Sequence, residues 1–292
     1  MLCSLEEHAS WLAQEAGTLL LGLFNQNLHV EYKSAGYRDP VSNADKAAEQ
    51  LLISHIQNNF PKHGILSEET EDSPIMDCDF LWVLDPLDGT TNYVNHYPFF
   101  GVSLGILYQG IPVVGAIFVS TPLISGGQVV HARHGGGAFV GDVPVRVYDG
   151  AEPSEGGLIS APGGSWVDRN LTKALRGKLG EVRFTGSIAY ELAMVASGVL
   201  QCASFVHPKI WDVAAGVIVI REAGGEVLVR GKNQRMEPLI SFLQPHPGLP
   251  IDGDLRKWGA GMLVGNQSVL RLMADNFKPR RKLWPWTGSF KS

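Results

Sequence analysis

The chain has 292 residues, 45% apolar and 18% charged, enough for one large core or two lobes sharing one. A net charge of −5 and a pI near 6.0 argue against nucleic acid as the main partner, and leave a small anionic substrate open because bound metal can reverse the local field. Three widely spaced cysteines, Cys3, Cys78 and Cys202, imply neither a disulfide framework nor a zinc ribbon and suit a reducing compartment.

Glu6 and Glu7 stand where a secretory signal carries positive charge, so a cytoplasmic setting is expected. Ser4-Leu5-Glu6-Glu7 has the form of a capping box, and Leu5, Ala9, Leu12, Ala16, Leu19, Leu20 and Leu23 follow at helical spacing. Residues 28–41 read as a loop or short strands. A second helix is expected from Ser42, with Ala48, Leu51, Leu52 and Ile56 on one face, ending before Pro61. Phe80 to Leu84 is a continuous apolar run expected as a buried strand. The apolar stretch from Leu104 to Ile124 is broken by Gln109-Gly110 and Pro112, so it reads as two strands and a turn, not a membrane span.

Further on, helical patterns near 168–178, 187–197 and 213–223 alternate with short strands at 157–160, 203–206, 226–229 and 261–265. The expectation is an α+β lobe over 1–150 and an α/β lobe over 151–292. The tail from Lys278 is basic and aromatic, and a mobile or packed terminus is its plainer reading.

The segment Trp82-Val83-Leu84-Asp85-Pro86-Leu87-Asp88-Gly89-Thr90-Thr91-Asn92-Tyr93 carries the chemistry. Two carboxylates follow a buried strand, where open sheets place ligands, and a Gly-Thr turn lets backbone N–H groups approach an anion. Oxygen-only ligands favour a hard cation. The spacing is not that of an EF-hand, since Pro86 and Asp88 break its pattern and His96 holds its twelfth position. The haloacid-dehalogenase motif has one residue between its acids where this chain has two. His131 and His134 make only a weak metal pair, and Gly135 to Gly141 fails the dinucleotide pattern at Val140.

Asp85-Pro86-Leu87-Asp88-Gly89-Thr90-Thr91-Asn92-Tyr93 resembles the first signature of the inositol monophosphatase superfamily. Trp211-Asp212-Val213-Ala214-Ala215-Gly216, continuing to Glu222-Ala223-Gly224-Gly225, resembles the second. Val41 to Asp45 and Ser67-Glu68-Glu69 match two further elements in order, and the resemblance spans about residues 5–275.

The resemblance implies a layered α-β-α-β-α sandwich and a magnesium-dependent phosphomonoesterase using a metal-activated water, with inositol 1-phosphate the first-choice substrate. Another sugar phosphate, histidinol phosphate, a 3′-phosphonucleotide, or a non-catalytic binding role are the alternatives. It implies a first Mg²⁺ on Glu68, Asp85 and the Leu87 carbonyl, a second on Asp85, Asp88 and Asp212, and a third reached from Glu68 through water. Thr90 and Asp45 are expected to orient the attacking water, while Gly89 and Thr90 N–H groups receive the phosphate. Lithium sensitivity and a homodimer come from the same likeness. Taken alone, the residues have plainer readings: Asp45 as the acid of a capping box with Ser42, Asp212 as a helix-dipole acid, Glu68 and Glu69 as a solvated pair.

One departure concerns substrate. Relatives that hydrolyse inositol phosphates place an acid seven residues before the second-signature aspartate, and here that position is Phe205. Ser187 and Ile188, at a helix start, and Lys209 are the other expected substrate-facing residues.

Overall fold

The computed structural model describes residues 1–26, 29–32, 40–70, 78–121, 126–162, 170–175, 177–231, 235–243 and 254–276. The basic aromatic tail lies outside them, as do residues 168, 169 and 176; where a helix is expected near 168–178, the described residues form only a 3₁₀ turn, Lys173–Leu175.

Helix α1 (Leu2–Leu23) and helix α2 (Asn43–Asn59) bracket a two-stranded ribbon of β1 (Val30–Tyr32) and β2 (Pro40–Ser42). The expected cap at Ser4 is not used. The helix starts at Leu2, which packs against the first core and draws the helix back by a turn, with Met1 at the N-cap and no side-chain cap bond. Ser42 does cap α2 as the sequence implies.

A seven-stranded sheet follows in the order β3-β4-β5-β6-β7-β8-β9. Its strands are β3 (Gly64–Ser67), β4 (Phe80–Asp88), β5 (Gly101–Tyr108), β6 (Ile111–Val119), β7 (Gln128–Arg133), β8 (Gly137–Val140) and β9 (Val143–Pro144). Strand β4 runs four residues beyond the expected apolar run, and the one-turn helix α3 (Thr90–Val94) follows it directly.

The second sheet comprises β10 (Leu158–Ser160), β11 (Glu181–Arg183), β12 (Leu200–Phe205), β13 (Glu226–Arg230), β14 (Met236–Pro238) and β15 (Met262–Gly265), in the order β11-β10-β12-β15-β13-β14. Helices α4 (Ile188–Ala196) and α5 (Ile210–Glu222) lie between the sheets, and α6 (Gln267–Asp275) covers the outer face of the second.

Three apolar cores define the layers. One joins α1 and α2 to the first sheet through Leu12, Leu52, Trp82 and Phe118. The largest fills the centre with residues of both sheets, α4 and α5, and the third sits under α6 with Val269, Leu270 and Met273. The result is the α-β-α-β-α sandwich.

Two facing glycines set the depth of the central layer. Gly105 and Gly115 are paired across β5 and β6, and a Cβ at either would stand 2.7 Å from Ala214 Cβ or 2.4 Å from the Ala215 carbonyl oxygen. Only glycine permits this approach, and it lets α5 lie directly on the first sheet. The Ser103 hydroxyl, donating to the Trp211 carbonyl at 3.0 Å, fixes the helix start.

Candidate active site

Residues from both halves line one cavity of about 400 Å³ at the end of β4. Glu68, Asp85, Leu87, Asp88, Gly89, Thr90, Ser187, Ile188, Phe205 and Asp212 are all on its wall. Two expected residues are not. Asp45 lies buried and meets the site through its bond with Thr90, and Lys209 is exposed outside the lining.

The two acids of β4 face the same cavity because of a bulge. A separation of three would put Asp85 and Asp88 on opposite faces of a regular strand. In the pairing with β5, Asp85 faces Ser103 and Asp88 faces Gly101, so β4 holds one extra residue and the parity is restored. Pro86, which has no N–H to offer a ladder, falls inside that bulge. Asp85 Oδ1 accepts the Leu87 N–H at 3.1 Å, which closes the loop locally.

Gly89 then adopts φ +93°, and a Cβ there would crowd the Phe99 carbonyl at 3.1 Å and Ser187 Cβ at 3.2 Å. The left-handed turn brings the Gly89 and Thr90 backbone to the cavity wall. Thr90 Oγ1 lies 3.0 Å from both Asp45 Oδ1 and the Leu87 carbonyl oxygen. Its single proton serves one of them at a time.

Asp45 closes the capping box and also meets Thr90. Its Oδ2 accepts the Ser42 N–H at 2.9 Å and the Ser42 hydroxyl at 2.5 Å, closing the capping box, while Oδ1 faces Thr90. Burial pushes its pKa up, and hydrogen bonds from Ser42 and Thr90 oppose that.

Glu68 extends from the end of β3, with its N–H on the Leu84 carbonyl at 3.1 Å. Asp212 sits in the first turn of α5, where its Oδ2 accepts the Lys209 N–H at 2.7 Å. The Lys209 backbone meets the site directly, and its charge, though outside the lining, also favours the Asp212 carboxylate. Asp88 Oδ2 accepts the Ser187 hydroxyl at 2.8 Å and, in a short bond, the Ala189 N–H. Ser187 also caps α4 by accepting the Tyr190 N–H at 3.2 Å.

The electrostatics are those of crowded anions. Burial raises the Asp85 pKa well above the usual carboxylate range, and Glu68, Asp88, Asp212 and Asp45 raise it further. Burial raises Asp212 likewise, with Asp88 adding to it. Asp88 is pushed up from 3.8 to about 6 by burial, against the opposing bonds from Ser187 and Ala189. Two carboxylates about 4 Å apart repel by about 4 kcal/mol at a protein-surface dielectric, so bare charge here is unfavourable.

Among the described residues no three acidic, histidine or cysteine side chains form a closed metal cluster. Asp85, Asp88 and Asp212 each turn one oxygen toward an N–H or hydroxyl donor. The donor set still fits a hard cation: its acid end is carboxylate and carbonyl oxygen only, and its charge is accumulated where burial opposes it.

Glu191, on α4, was not singled out from the sequence, yet it lines the cavity floor. It is buried, accepts the Ser160 hydroxyl at 2.5 Å and the Thr185 N–H at 2.7 Å, and raises the Asp88 pKa. A lone acid in the apolar run Ile188-Ala189-Tyr190-Glu191-Leu192-Ala193 was the available signal. His131, weighed as a metal residue, instead bonds Glu6 at 2.8 Å and the Gly141 carbonyl at 2.9 Å, away from this cavity.

Comparison with known proteins agrees with this geometry. The model of the inositol monophosphatase family matches residues 1–249. Inositol monophosphatase 2 of Solanum lycopersicum is 34% identical over 230 residues, 74% of this chain and 83% of its own. Nus factor SuhB of Escherichia coli K12 is 33% identical over 220 residues, 74% of this chain and 81% of its own. Among solved structures, inositol monophosphatase from Anabaena sp. PCC 7120 superposes with a TM-score of 0.71 at 30% identity, covering 94% of this chain and 95% of its own. Two matched signatures, the five-layer fold and the shared cavity agree with these likenesses, and the chain belongs to the inositol monophosphatase family.

Proposed function

We propose that this chain is a magnesium-dependent phosphomonoesterase that hydrolyses a small phosphate monoester by direct attack of water. The observation that carries the reading is that Glu68, Asp85, Asp88 and Asp212, supplied by three separate segments, line one cavity together with the Gly89-Thr90 turn. In this reading Glu68, Asp85 and the Leu87 carbonyl hold one ion, and Asp85, Asp88 and Asp212 hold the second. Glu68 reaches a third through water. When bound, such ions polarise the attacking water and neutralise charge on the leaving oxygen.

The remaining work falls to the chain's own groups. Thr90 Oγ1 donates to Asp45 Oδ1 and would accept a hydrogen bond from the attacking water, so that as the water's proton passes to Thr90 Oγ1 the hydroxyl's own proton passes to Asp45 Oδ1. Asp45, made more basic by burial, favours that direction. The Gly89 and Thr90 N–H groups receive the phosphate oxygens. Ser187 holds the Asp88 carboxylate in orientation. Phosphoryl transfer needs little else from a protein than such positioning and charge.

Inositol 1-phosphate is the substrate that family membership suggests. Staphylococcus aureus inositol monophosphatase II, at 25% identity, has been solved with inositol monophosphate and with 2′-AMP, so this fold admits both a polyol and a nucleotide. Lithium sensitivity, a homodimer and a cytoplasmic setting belong to the same proposal. No helix among the described residues is long and apolar enough to cross a membrane.

A second reading, a binding protein on this fold, is favoured by the likeness to a relative named Nus factor SuhB. Binding alone requires no set of buried acids, which supports the hydrolytic reading. The test is a phosphate-release screen over inositol, sugar and nucleotide monophosphates with Mg²⁺. Release from at least one is expected, and release from none contradicts the reading.

A further inference from the structure

The same cavity that gathers the acids also carries a group of apolar side chains. Phe184, Ile188, Phe205 and Val206 form it, flanked by Pro162 and Pro208. Phe205 is only 5% exposed, whereas Phe184 is 59% and Val206 49% exposed. Single exposed apolar side chains need no explanation, but here two line a concave site together with the buried Phe205.

Of the polar side chains on this part of the lining, Ser187 and Glu191 already have partners within the protein, while Thr91 and His207 are exposed to solvent. The Ser187 hydroxyl donates to Asp88 at 2.8 Å and accepts the Tyr190 N–H at 3.2 Å. Both Glu191 oxygens accept, one from Ser160 at 2.5 Å and the other from the Thr185 N–H at 2.7 Å and hydroxyl at 2.9 Å. His207, at the rim, is itself a flat ring. An inositol ring carries a hydroxyl on every carbon not bearing the phosphate. Each hydroxyl that gives up water against such a wall without a new partner weakens binding by about tenfold. A flat apolar ring loses nothing there and gains offset or edge contacts with Phe184.

We infer that the alcohol portion of the preferred substrate carries an aromatic or heteroaromatic ring seated against Phe184 and Val206, and that a bare polyol phosphate is the poorer substrate. This rests on the phosphomonoesterase reading and names the substrate class of the same site.

The test compares kcat/KM of the full chain, with Mg²⁺, for 2-phenylethyl phosphate, inositol 1-phosphate and glycerol 2-phosphate. The ring-bearing ester is expected to exceed inositol 1-phosphate by about tenfold. Phe184→Ala should lower the ratio of 2-phenylethyl phosphate to glycerol 2-phosphate about fivefold to tenfold, chiefly through KM, and Phe184→Tyr should restore it. Because Phe184 is largely exposed, the fold tolerates both changes. A preference for inositol 1-phosphate, or a ratio unmoved by Phe184→Ala, overturns the inference alone. Hydrolysis of none of the three esters overturns the inference, and the phosphomonoesterase reading falls with it only if the wider screen also shows no release.

Discussion

Ser187 and Asp88 lie 99 residues apart in the chain, yet the serine hydroxyl donates to the aspartate at 2.8 Å. One side chain thus caps a helix of the second half and orients a carboxylate of the first. Asn92 reinforces the junction, its amide donating to the Phe99 carbonyl at 2.6 Å and the Thr185 carbonyl at 2.8 Å. The cavity is therefore a product of how the halves are joined.

Ser187→Ala should cost about 1–3 kcal/mol of stability, since it removes a helix cap and a hydrogen bond to a carboxylate. It should also weaken metal binding by freeing Asp88 to rotate. Urea unfolding with and without Mg²⁺ reads both effects; unchanged midpoints in both conditions would contradict the role.

Asp85→Asn should nearly abolish kcat while leaving the metal-free protein folded, because it removes charge that burial and its neighbours already oppose. Asp212→Asn should weaken Mg²⁺ binding and lower kcat. Wild-type kcat in either variant at ordinary Mg²⁺ concentration would exclude the assigned ligand set.

Metal-free stability should depend on pH through Asp88, whose pKa rises from 3.8 to about 6 on folding. The folded state then holds the proton more tightly than the unfolded chain. That contribution is complete below 3.8 and lost as pH rises through about 6. In chelator, Asp88→Asn should gain on wild type across this window and hold a constant lead above it. A lead that does not change with pH in urea titrations would contradict the buried-anion account.

Much of the site was legible in the sequence because its acids are local: Asp85 and Asp88 share one turn, and Asp212 opens a well-marked helix. The helices near 187–197 and 213–223 and the four expected strands of the second half follow from periodicity, as does the turn at Gln109-Gly110. By contrast, β11, β14 and α6 are not among the expected elements, and the pattern near 168–178 gives only a 3₁₀ turn. What escaped is what depends on distant contact. The bulge between Asp85 and Asp88 exists only in the pairing with β5, and the Gly105–Gly115 approach only against α5. That the Ser187 hydroxyl meets Asp88, 99 residues away, is likewise invisible in the sequence. The start of α1 was misjudged because Leu2 is drawn in by tertiary packing.

Phe205 illustrates both sides. It lines the cavity and also belongs to the central core, at the end of a strand paired with Met262. Phe205→Glu should therefore lower the melting temperature, because a carboxylate is buried there. It should also raise the ratio of kcat/KM for inositol 1-phosphate to that for glycerol 2-phosphate by about tenfold, through one regained hydrogen bond to a hydroxyl. A lowered melting temperature with an unchanged ratio would assign Phe205 to the core alone.

The central claim is that the acids around Asp85 act by holding a metal that activates water. Phosphate release from the best ester of the screen, followed in chelator and then across an Mg²⁺ titration, tests it most directly. Release should be absent in chelator, return in a saturable manner with Mg²⁺, fall when Li⁺ is added, and leave no phosphorylated protein at any stage. Undiminished release in excess chelator, or a trapped phospho-enzyme, would contradict it.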